Sequence, residues 1–358
     1  MKKVLFFLIL TFLFVGCSAG NPGSPTANAS PTTPPVNGFG IAGNHVHAMV
    51  ILPDANHTLV LSTHFGIFRS QDHGATWQET AGSSSQLMHG TMTYWLSYNL
   101  VDPQRLYVLT FIQNAGLPQT SPYGLYTSGD GGKTWQLSIT DASVTSSTIV
   151  FAQAGNDTPS EVYIYLRELG PLGLRVSMDN GQHFSQAGSA LPFGSLTNLL
   201  AVPGEPGHLL AYGDTGIANT TDGGAHWQVI KNVQDSIFDM TTPGAKAPIY
   251  ASGEAGIYAS HDGGQSFSLV ETQHSYDSLS ASPQQPDVLY GKLGLGVYHS
   301  ADGGQSWSAM PTIKGNLQTL IADPTDAKQL YLSLSFPAQV YLFQAANKNW
   351  QSITPPVA

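Results

Sequence analysis

The stretch S-A-D-G-G-Q-S-W at residues 300–307 has a close copy, S-H-D-G-G-Q-S-F, at residues 260–267. The same octet occurs four more times, as S-Q-D-H-G-A-T-W (70–77), S-G-D-G-G-K-T-W (128–135), S-M-D-N-G-Q-H-F (177–184) and T-T-D-G-G-A-H-W (220–227). A shorter segment, Q-A-A-N-K-N-W at 344–350, lacks the aspartate and the glycines but keeps the final aromatic residue. The spacing of these segments settles at about forty residues, which indicates a repeat protein.

Two further turns precede the octet in each repeat. One contains proline, as in V-D-P-Q-R (101–105), and the other contains glycine, as in S-G-E-A-G (252–256). Strand-length apolar runs separate these turns, so each repeat predicts four short antiparallel strands, A to D. A Pro turn joins A to B, a Gly turn joins B to C, and the octet turn joins C to D. Such units are typical of propeller blades. We therefore predict an all-β fold, a seven-bladed β-propeller of four-stranded antiparallel blades, within residues 44–358.

The octet aspartates have two possible roles, metal binding or turn formation. A calcium loop requires a denser carboxylate series such as D-x-D-x-D-G, and no copy of the octet has one. An aspartate in a tight turn accepts hydrogen bonds from backbone N–H groups, and the glycines adopt angles that other residues avoid. We expect the final aromatic residue to pack into the core of its sheet. We predict a structural role for six aspartates: Asp72, Asp130, Asp179, Asp222, Asp262 and Asp302.

The N-terminus predicts export and lipid attachment. Lys2 and Lys3 precede an apolar stretch over residues 4–15 that is too short to span a bilayer, so residues 1–16 are predicted to be a lipoprotein signal peptide. The segment L-F-V-G-C (13–17) resembles a bacterial lipobox, which implies lipid on Cys17, the only cysteine of the chain. Residues 17–43 then form the lipidated cysteine and a flexible tether. We expect a secreted protein that is lipid-anchored at the outer side of a bacterial membrane.

The formal net charge of −10 argues against nucleic-acid partners, because such proteins carry basic surfaces. The same negative charge argues against direct binding to an anionic membrane surface, so the membrane is expected as a partner only through the lipid on Cys17.

The octets resemble the Asp-box, or BNR repeat, S-x-D-x-G-x-T-W, of sialidases, sortilin-type receptors, tandem-propeller xyloglucan hydrolases and photosystem II assembly factors. The segments H-V-H-A-M-V (45–50) and S-T-H-F-G-I-F-R-S (62–70) are similar to the start of bacterial sortilin-like propellers often labelled glycosyl hydrolases. The resemblance implies the fold but leaves the function open, because these propellers include enzymes, receptors and assembly chaperones.

Sialidase activity is not expected. The resemblance to sialidases implies a substrate carboxylate held by three arginines at the site. This chain has four arginines in all, so three of the four would have to lie there. Arg69 and Arg175 are predicted on strand C, and Arg105 lies at a Pro turn. Only Arg167 lies near a Gly turn, where such a clamp is needed.

The face formed by the Gly turns and the D–A connections, here called the mouth, is where propellers place their sites. Acidic candidates there are Glu168, Asp214, Glu254 and Asp277. Two carboxylates about 5 Å or about 6.5–9.5 Å apart would support glycoside hydrolysis. Without a catalytic signature, the sequence favours a binding or assembly scaffold for a protein or glycan, with a glycoside hydrolase as the alternative.

Four histidines are further candidates at the mouth: His45, His47, His64 and His89. His45 and His47 are two residues apart on a strand, so their side chains point to the same side. Three interpretations remain open: ordinary polar residues of the rim, a protein or glycan site, or a metal site. The sequence favours the first and assigns no metal and no cofactor. Aligned starts of strand A place five residues at matching positions facing the axis: His47, Ser97, Thr197, Asp277 and Gln318.

Overall fold

The computed structural model describes residues 39, 43–112, 121–139, 144, 148–336, 338–346 and 348–355. They form seven sheets of four antiparallel strands, and in every sheet the strands pair in chain order. This architecture confirms the predicted all-β seven-bladed propeller. The predicted signal peptide and Cys17 lie outside the described residues, as does the predicted tether apart from Phe39 and Gly43.

The strands of blades 1 to 4 are β1 (Val46–Ile51), β2 (Leu59–Thr63), β3 (Ile67–Ser70), β4 (Gln78–Ala81); β5 (Thr91–Tyr98), β6 (Leu106–Ile112), β7 (Leu125–Ser128), β8 (Gln136–Leu137); β9 (Ile149–Ala154), β10 (Val162–Leu166), β11 (Leu174–Ser177), β12 (Ser185–Gln186); β13 (Asn198–Ala201), β14 (Leu209–Gly213), β15 (Gly216–Thr220) and β16 (Gln228–Val229). The strands of blades 5 to 7 are β17 (Ile237–Thr241), β18 (Ile249–Gly253), β19 (Gly256–Ser260), β20 (Ser268–Glu271); β21 (Ser278–Ser282), β22 (Gln285–Leu293), β23 (Gly296–Ser300), β24 (Ser308–Ala309); β25 (Leu317–Ala322), β26 (Gln329–Leu334), β27 (Gln339–Gln344) and β28 (Asn349–Ser352). A short 3-10 helix, Arg167–Leu172, takes the place of the Gly turn in blade 3.

The burial of the strands follows from the stacking of the blades. Strand B is buried at every residue in blades 1, 3, 4 and 5, because a neighbouring blade covers each of its faces. The outer strands β8, β12, β16 and β24 have only two residues each, and these are exposed. The first strands of the seven blades contact one another in sequence, and β25 contacts β1, so the ring is closed around its axis. Among the described residues, no helix is long and apolar enough to cross a membrane.

The ring closes by side-chain packing between blades 7 and 1, since each sheet is built from one continuous segment. Val46 and Met49 on β1 share a buried apolar cluster with Tyr331 and Val340 of blade 7. The indole of Trp77 donates a hydrogen bond to the carbonyl of Ile353 at 2.8 Å. Burial of this apolar surface joins the first blade to the last.

Polar contacts reinforce the same seam. Nδ1 of His57 lies 2.6 Å from Oδ2 of Asp323, whose side chain is 0% exposed. The ring of His73 lies 4.2 Å from that of His57, and its Nδ1 is 3.4 Å from the hydroxyl of Tyr331. These two histidines of blade 1 therefore serve the contact with blade 7.

Phe39 belongs to the packed body of the protein. Its ring meets that of Phe68 edge-on, with 4.9 Å between centroids, and it shares the apolar cluster between blades 7 and 1. Phe39 therefore packs against the propeller although it lies five positions before residue 44, the predicted start of the propeller.

Each octet aspartate binds its own turn. In blade 6, Asp302 accepts hydrogen bonds from the hydroxyl of Ser300 at 2.8 Å and from the N–H of Ser306 at 2.9 Å. The same two contacts occur at the five other octets, where the distances are 2.7–3.0 Å. The fourth octet position has a positive φ, such as 68° at Gly303 and 62° at Asn180. Glycine or asparagine suits this position because both tolerate left-handed backbone angles.

The aromatic residue at the end of the octet reaches further than the core of its own sheet, where we expected it. The indole of Trp135 lies 3.2 Å from the hydroxyl of Thr80 in blade 1, and that of Trp350 donates to the carbonyl of Pro311 in blade 6 at 2.8 Å. Together with Trp77, these residues each contact the preceding blade. An indole is long enough to leave its sheet and bury its ring between blades.

Candidate binding site at the propeller mouth

The mouth carries the histidines at one end of blade 1. The Gly turn between β2 and β3 holds His64, and the N–H of His64 donates to the carbonyl of His45 at 2.9 Å. The register between β1 and β2 shifts between Val46 and Ala48, so His47 occupies a β-bulge. Bulges re-aim side chains and often lie beside functional sites.

The bulge and the turn bring three of the four predicted histidines together. The ring of His45 lies 4.3 Å from that of His47 and 4.7 Å from that of His64, measured between centroids. One ring nitrogen from each of the three lies within 4.8 Å of the others. His89 is held elsewhere, because its Nδ1 lies 3.0 Å from the carbonyl oxygen of Gly82 in the D–A connection.

The surroundings of the three histidines keep them uncharged. Burial, followed by the charges that His45 and His64 would carry, lowers the pKa of His47 to about 3. Burial, followed by the charge of His45, lowers the pKa of His64 to about 4. Burial also lowers the pKa of His45, although its hydrogen bond to Gly43 opposes this shift. At neutral pH the three imidazoles are therefore neutral and offer nitrogen lone pairs.

Aromatic rings extend this cluster along the rim. Phe336 lies in the turn between β26 and β27 of blade 7 and is 49% exposed, and its ring lies 4.5 Å from that of His45. Phe65 meets His64 edge-on at 4.9 Å. The sequence did not predict Phe336, because its turn in blade 7 lacks the glycine that marks the corresponding turn of blade 1.

The four predicted carboxylates lie on four different blades. Asp214 and Glu254 are exposed in two-residue Gly turns of blades 4 and 5. Asp277 accepts a hydrogen bond from the N–H of Gly294 at 2.9 Å and so closes the Gly turn of blade 6. Glu168 accepts from the N–H of Thr148 at 3.1 Å, and hydrogen bonding by Thr148 lowers its pKa. A lowered pKa is the opposite of what a general acid needs at neutral pH.

One acidic residue of the inner ring was missed from the sequence. Asp239 on β17 accepts hydrogen bonds from the N–H of Leu279 at 2.8 Å and from the hydroxyl of Ser278 at 2.9 Å, both in blade 6. The hydroxyl of Tyr212 in blade 4 lies 3.4 Å from its other oxygen. Burial raises the pKa of Asp239, while these hydrogen bonds oppose the shift. A single aspartate in a strand gives no repeat signal, so the octet pattern could not identify it.

Two of the five aligned residues of the first strands occupy equivalent positions in their blades, and a third does not. His47 and Gln318 both lie at bulges, and the amide of Gln318 donates to the carbonyl of His47 at 3.1 Å. In blade 2 the bulge falls at Tyr94, three residues before Ser97. The hydroxyl of Ser97 instead donates to the carbonyl of Ala152 at 2.7 Å, in the contact between blades 2 and 3. The bulge shifts the alignment, and a bulge has no fixed sequence signature.

The arginines lie where the sequence placed them. Arg69 is on β3 and Arg175 is on β11, while Arg167 begins the 3-10 helix of blade 3. Arg69 is buried and its Nε donates to the carbonyl of Gly131 at 2.7 Å, in the contact between blades 1 and 2. This guanidinium therefore serves the packing of two blades.

No protein-family model matches the chain, and no curated protein sequence matches it. Solved structures do match. A GH74 xyloglucanase from Xanthomonas campestris is 13% identical with a TM-score of 0.67, over 87% of this chain and 55% of that one. YCF48 from Cyanidioschyzon merolae is 13% identical with a TM-score of 0.62, over 87% of this chain and 99% of that one.

A structure described as YCF48 bound to D1 peptide is 15% identical with a TM-score of 0.55, over 83% of this chain and 93% of that one. The chain spans about half the length of the GH74 enzymes that it resembles. At 13–15% identity, these similarities establish that the chain has the fold of a seven-bladed β-propeller.

Proposed function

We propose that this protein is an extracytoplasmic, lipid-anchored propeller that binds a protein or a glycan at its mouth. The observation that carries the proposal is the exposed ring of Phe336 beside the half-buried ring of His45. An exposed aromatic ring next to imidazoles offers a flat apolar surface with hydrogen-bonding groups at its edge. Peptides and sugars are both recognised by such surfaces, because they combine apolar faces with polar groups.

A protein partner is supported by the similarity to YCF48. A structure of that propeller is described as bound to D1 peptide, and it covers 83% of this chain. A propeller of this size thus accommodates a peptide without a second propeller. The present chain provides a rigid ring of the same kind, which limits the entropy lost on binding.

The second candidate is a glycoside hydrolase. It is supported by the similarity to GH74 enzymes and by Asp239, whose raised pKa suits a carboxyl group that donates a proton. The predicted carboxylates each lie on a different blade, so no blade holds two of them as a catalytic pair: Glu168, Asp214, Glu254 and Asp277. Binding without turnover therefore remains the principal proposal.

The test uses the full chain in detergent against a glycan array, a polysaccharide panel and a peptide library. We expect retention of a ligand without release of sugar, and Phe336→Ala should weaken that retention about tenfold, the loss of roughly 1.4 kcal/mol of contact. Met178→Ala is the matched control, because Met178 is 51% exposed in an octet turn on the opposite face. Released sugar would establish the hydrolase, and unchanged retention in Phe336→Ala would remove the mouth as the binding surface.

The cellular address is a separate part of the proposal and rests on Cys17 at the end of the apolar leader. Expressed in a bacterium, the protein should partition into detergent and incorporate labelled fatty acid. Cys17→Ser should leave an uncleaved precursor without label. A soluble, trimmed Cys17→Ser product would disprove lipidation while leaving the binding proposal untouched.

A further inference from the structure

We propose that His45, His47 and His64 form a binding site for one divalent transition-metal ion, with zinc as the reference ion. The three imidazoles supply three nitrogen ligands, and the fourth coordination position is left for water or for an atom of a bound ligand. This inference does not depend on what the mouth binds, because metal content is measured without any protein or glycan.

The positions of the rings carry the proposal. One nitrogen of each histidine lies within 4.8 Å of the other two. Zinc binds histidine nitrogens at about 2.0–2.1 Å, so in a tetrahedral site the ligand nitrogens are about 3.3 Å apart. The three nitrogens lie within 4.8 Å of one another, so side-chain shifts of about 1.5 Å would bring them to that separation. The β-bulge at His47 and the turn at His64 place the three side chains next to one another.

The hydrogen bonds of the cluster suit metal ligands. Nδ1 of His45 lies 2.9 Å from the carbonyl oxygen of Gly43 and donates to it, which leaves Nε2 as the ligand atom. A backbone carbonyl that orients a histidine in this way is a recurrent feature of metal sites. Nε2 of His47 is buried, and no hydrogen-bond partner for it is found among the described residues. A buried nitrogen without a partner is costly, and a metal ion would satisfy it.

The donor set selects the class of ion. Within the described part of the chain, no carboxylate or thiol joins the three histidines. Three imidazoles without a carboxylate suit zinc, copper and nickel, whereas calcium and magnesium require oxygen ligands. Three histidines with an open fourth position is also the arrangement that zinc adopts when it binds an exchangeable water.

The test is a metal titration of the full chain in detergent after removal of bound metal with a chelator and dialysis. Zinc should bind at one equivalent per chain and raise the melting temperature. His47→Ala and His64→Ala should each weaken zinc binding more than about tenfold, because even contacts outside the ligand set change metal affinity by 10–100-fold. His226→Ala is the matched control, since this histidine is 90% exposed beside Asp222 in an octet and should leave the titration unchanged.

A stoichiometry well below one, or equal zinc binding in His47→Ala and the unmodified chain, would overturn the proposal. Equal loss in His226→Ala would show binding to surface histidines and would overturn it as well. Should either variant fail to fold, the unmodified chain loaded with one equivalent of Cu²⁺ decides the question. Its electron paramagnetic resonance spectrum should show hyperfine coupling to three imidazole nitrogens, and a spectrum without imidazole coupling would refute the site.

Discussion

An octet aspartate stabilises the turn in which it lies. Asp302 accepts from the hydroxyls of Ser300 and Ser306 and from the N–H of Ser306, so Asp302→Ala leaves these donors without their partner. We expect the free energy of unfolding to fall by about 1–2 kcal/mol. Urea unfolding followed by tryptophan fluorescence measures it. Asp214→Ala, in an exposed mouth turn, is the control and should change stability by less than about 0.5 kcal/mol. Equal losses in both variants would contradict the structural role of the octet.

The same contacts make the stability depend on pH at the acid end. The N–H of His226, followed by its imidazole and the hydroxyl of Thr220, lowers the pKa of Asp222 to about 2. A carboxyl group whose pKa is lowered on folding stabilises the protein above its unfolded pKa of about 3.9 and loses this effect as the pH falls toward 2. We therefore expect the melting temperature to fall less between pH 5 and pH 2 in Asp222→Asn than in the unmodified chain. Parallel curves for the two proteins would show that Asp222 does not titrate as described.

At the scale of the strand and turn, some positions require glycine because neighbouring backbone atoms leave no room for a side chain. Gly256 begins β19 with a φ of 134°, and a Cβ added there would lie 2.0 Å from the carbonyl oxygen of Glu271. Gly256→Ala should therefore lower the free energy of unfolding by about 2 kcal/mol or more, through clash and backbone strain. Gly194→Ala is the control, because a Cβ at Gly194 meets no atom within 4 Å. Circular-dichroism melting of the two variants makes the comparison, and a neutral Gly256→Ala would mean that the turn relaxes freely.

The repeat predicted the strands because each turn carries its own local signal. Proline, glycine and aspartate report on backbone angles and turn hydrogen bonds within a few residues, so they are visible in the sequence. The bulges at His47 and Tyr94 are not visible, since they depend on pairing with a strand more than ten residues away. The three-histidine cluster depends on the bulge at His47. Its three histidines could therefore be named as candidates from the sequence, but they could not be distinguished from His89, which lies outside the cluster.

At the scale of the whole molecule, the repeat predicted the number of blades but not how the ring closes. Closure joins residues that are more than 200 positions apart, such as His57 with Asp323 and Trp77 with Ile353. No local sequence pattern encodes these contacts, so the sequence does not predict that His57 and His73 lie at the seam. The three clustered mouth histidines lie on blade 1, one of the two blades of the seam, and the amide of Gln318 in blade 7 donates a hydrogen bond to the carbonyl of His47. The stability of the seam and the geometry of the mouth are therefore linked through β1 and β25.

The seam should be the place where the ring opens first. His57→Ala leaves the buried carboxylate of Asp323 without its imidazole partner, which should cost about 1–3 kcal/mol. His208→Ala is the matched control, because His208 pairs with Glu205 at 2.7 Å inside blade 4. Hydrogen–deuterium exchange should then show faster exchange in β1 and β25 for His57→Ala, and in blade 4 for His208→Ala. If exchange became faster by the same factor in all seven blades of both variants, the blades would open as one unit, which would contradict a preferred opening at the seam. A closed ring whose interfaces are all equally strong has no place where it opens first.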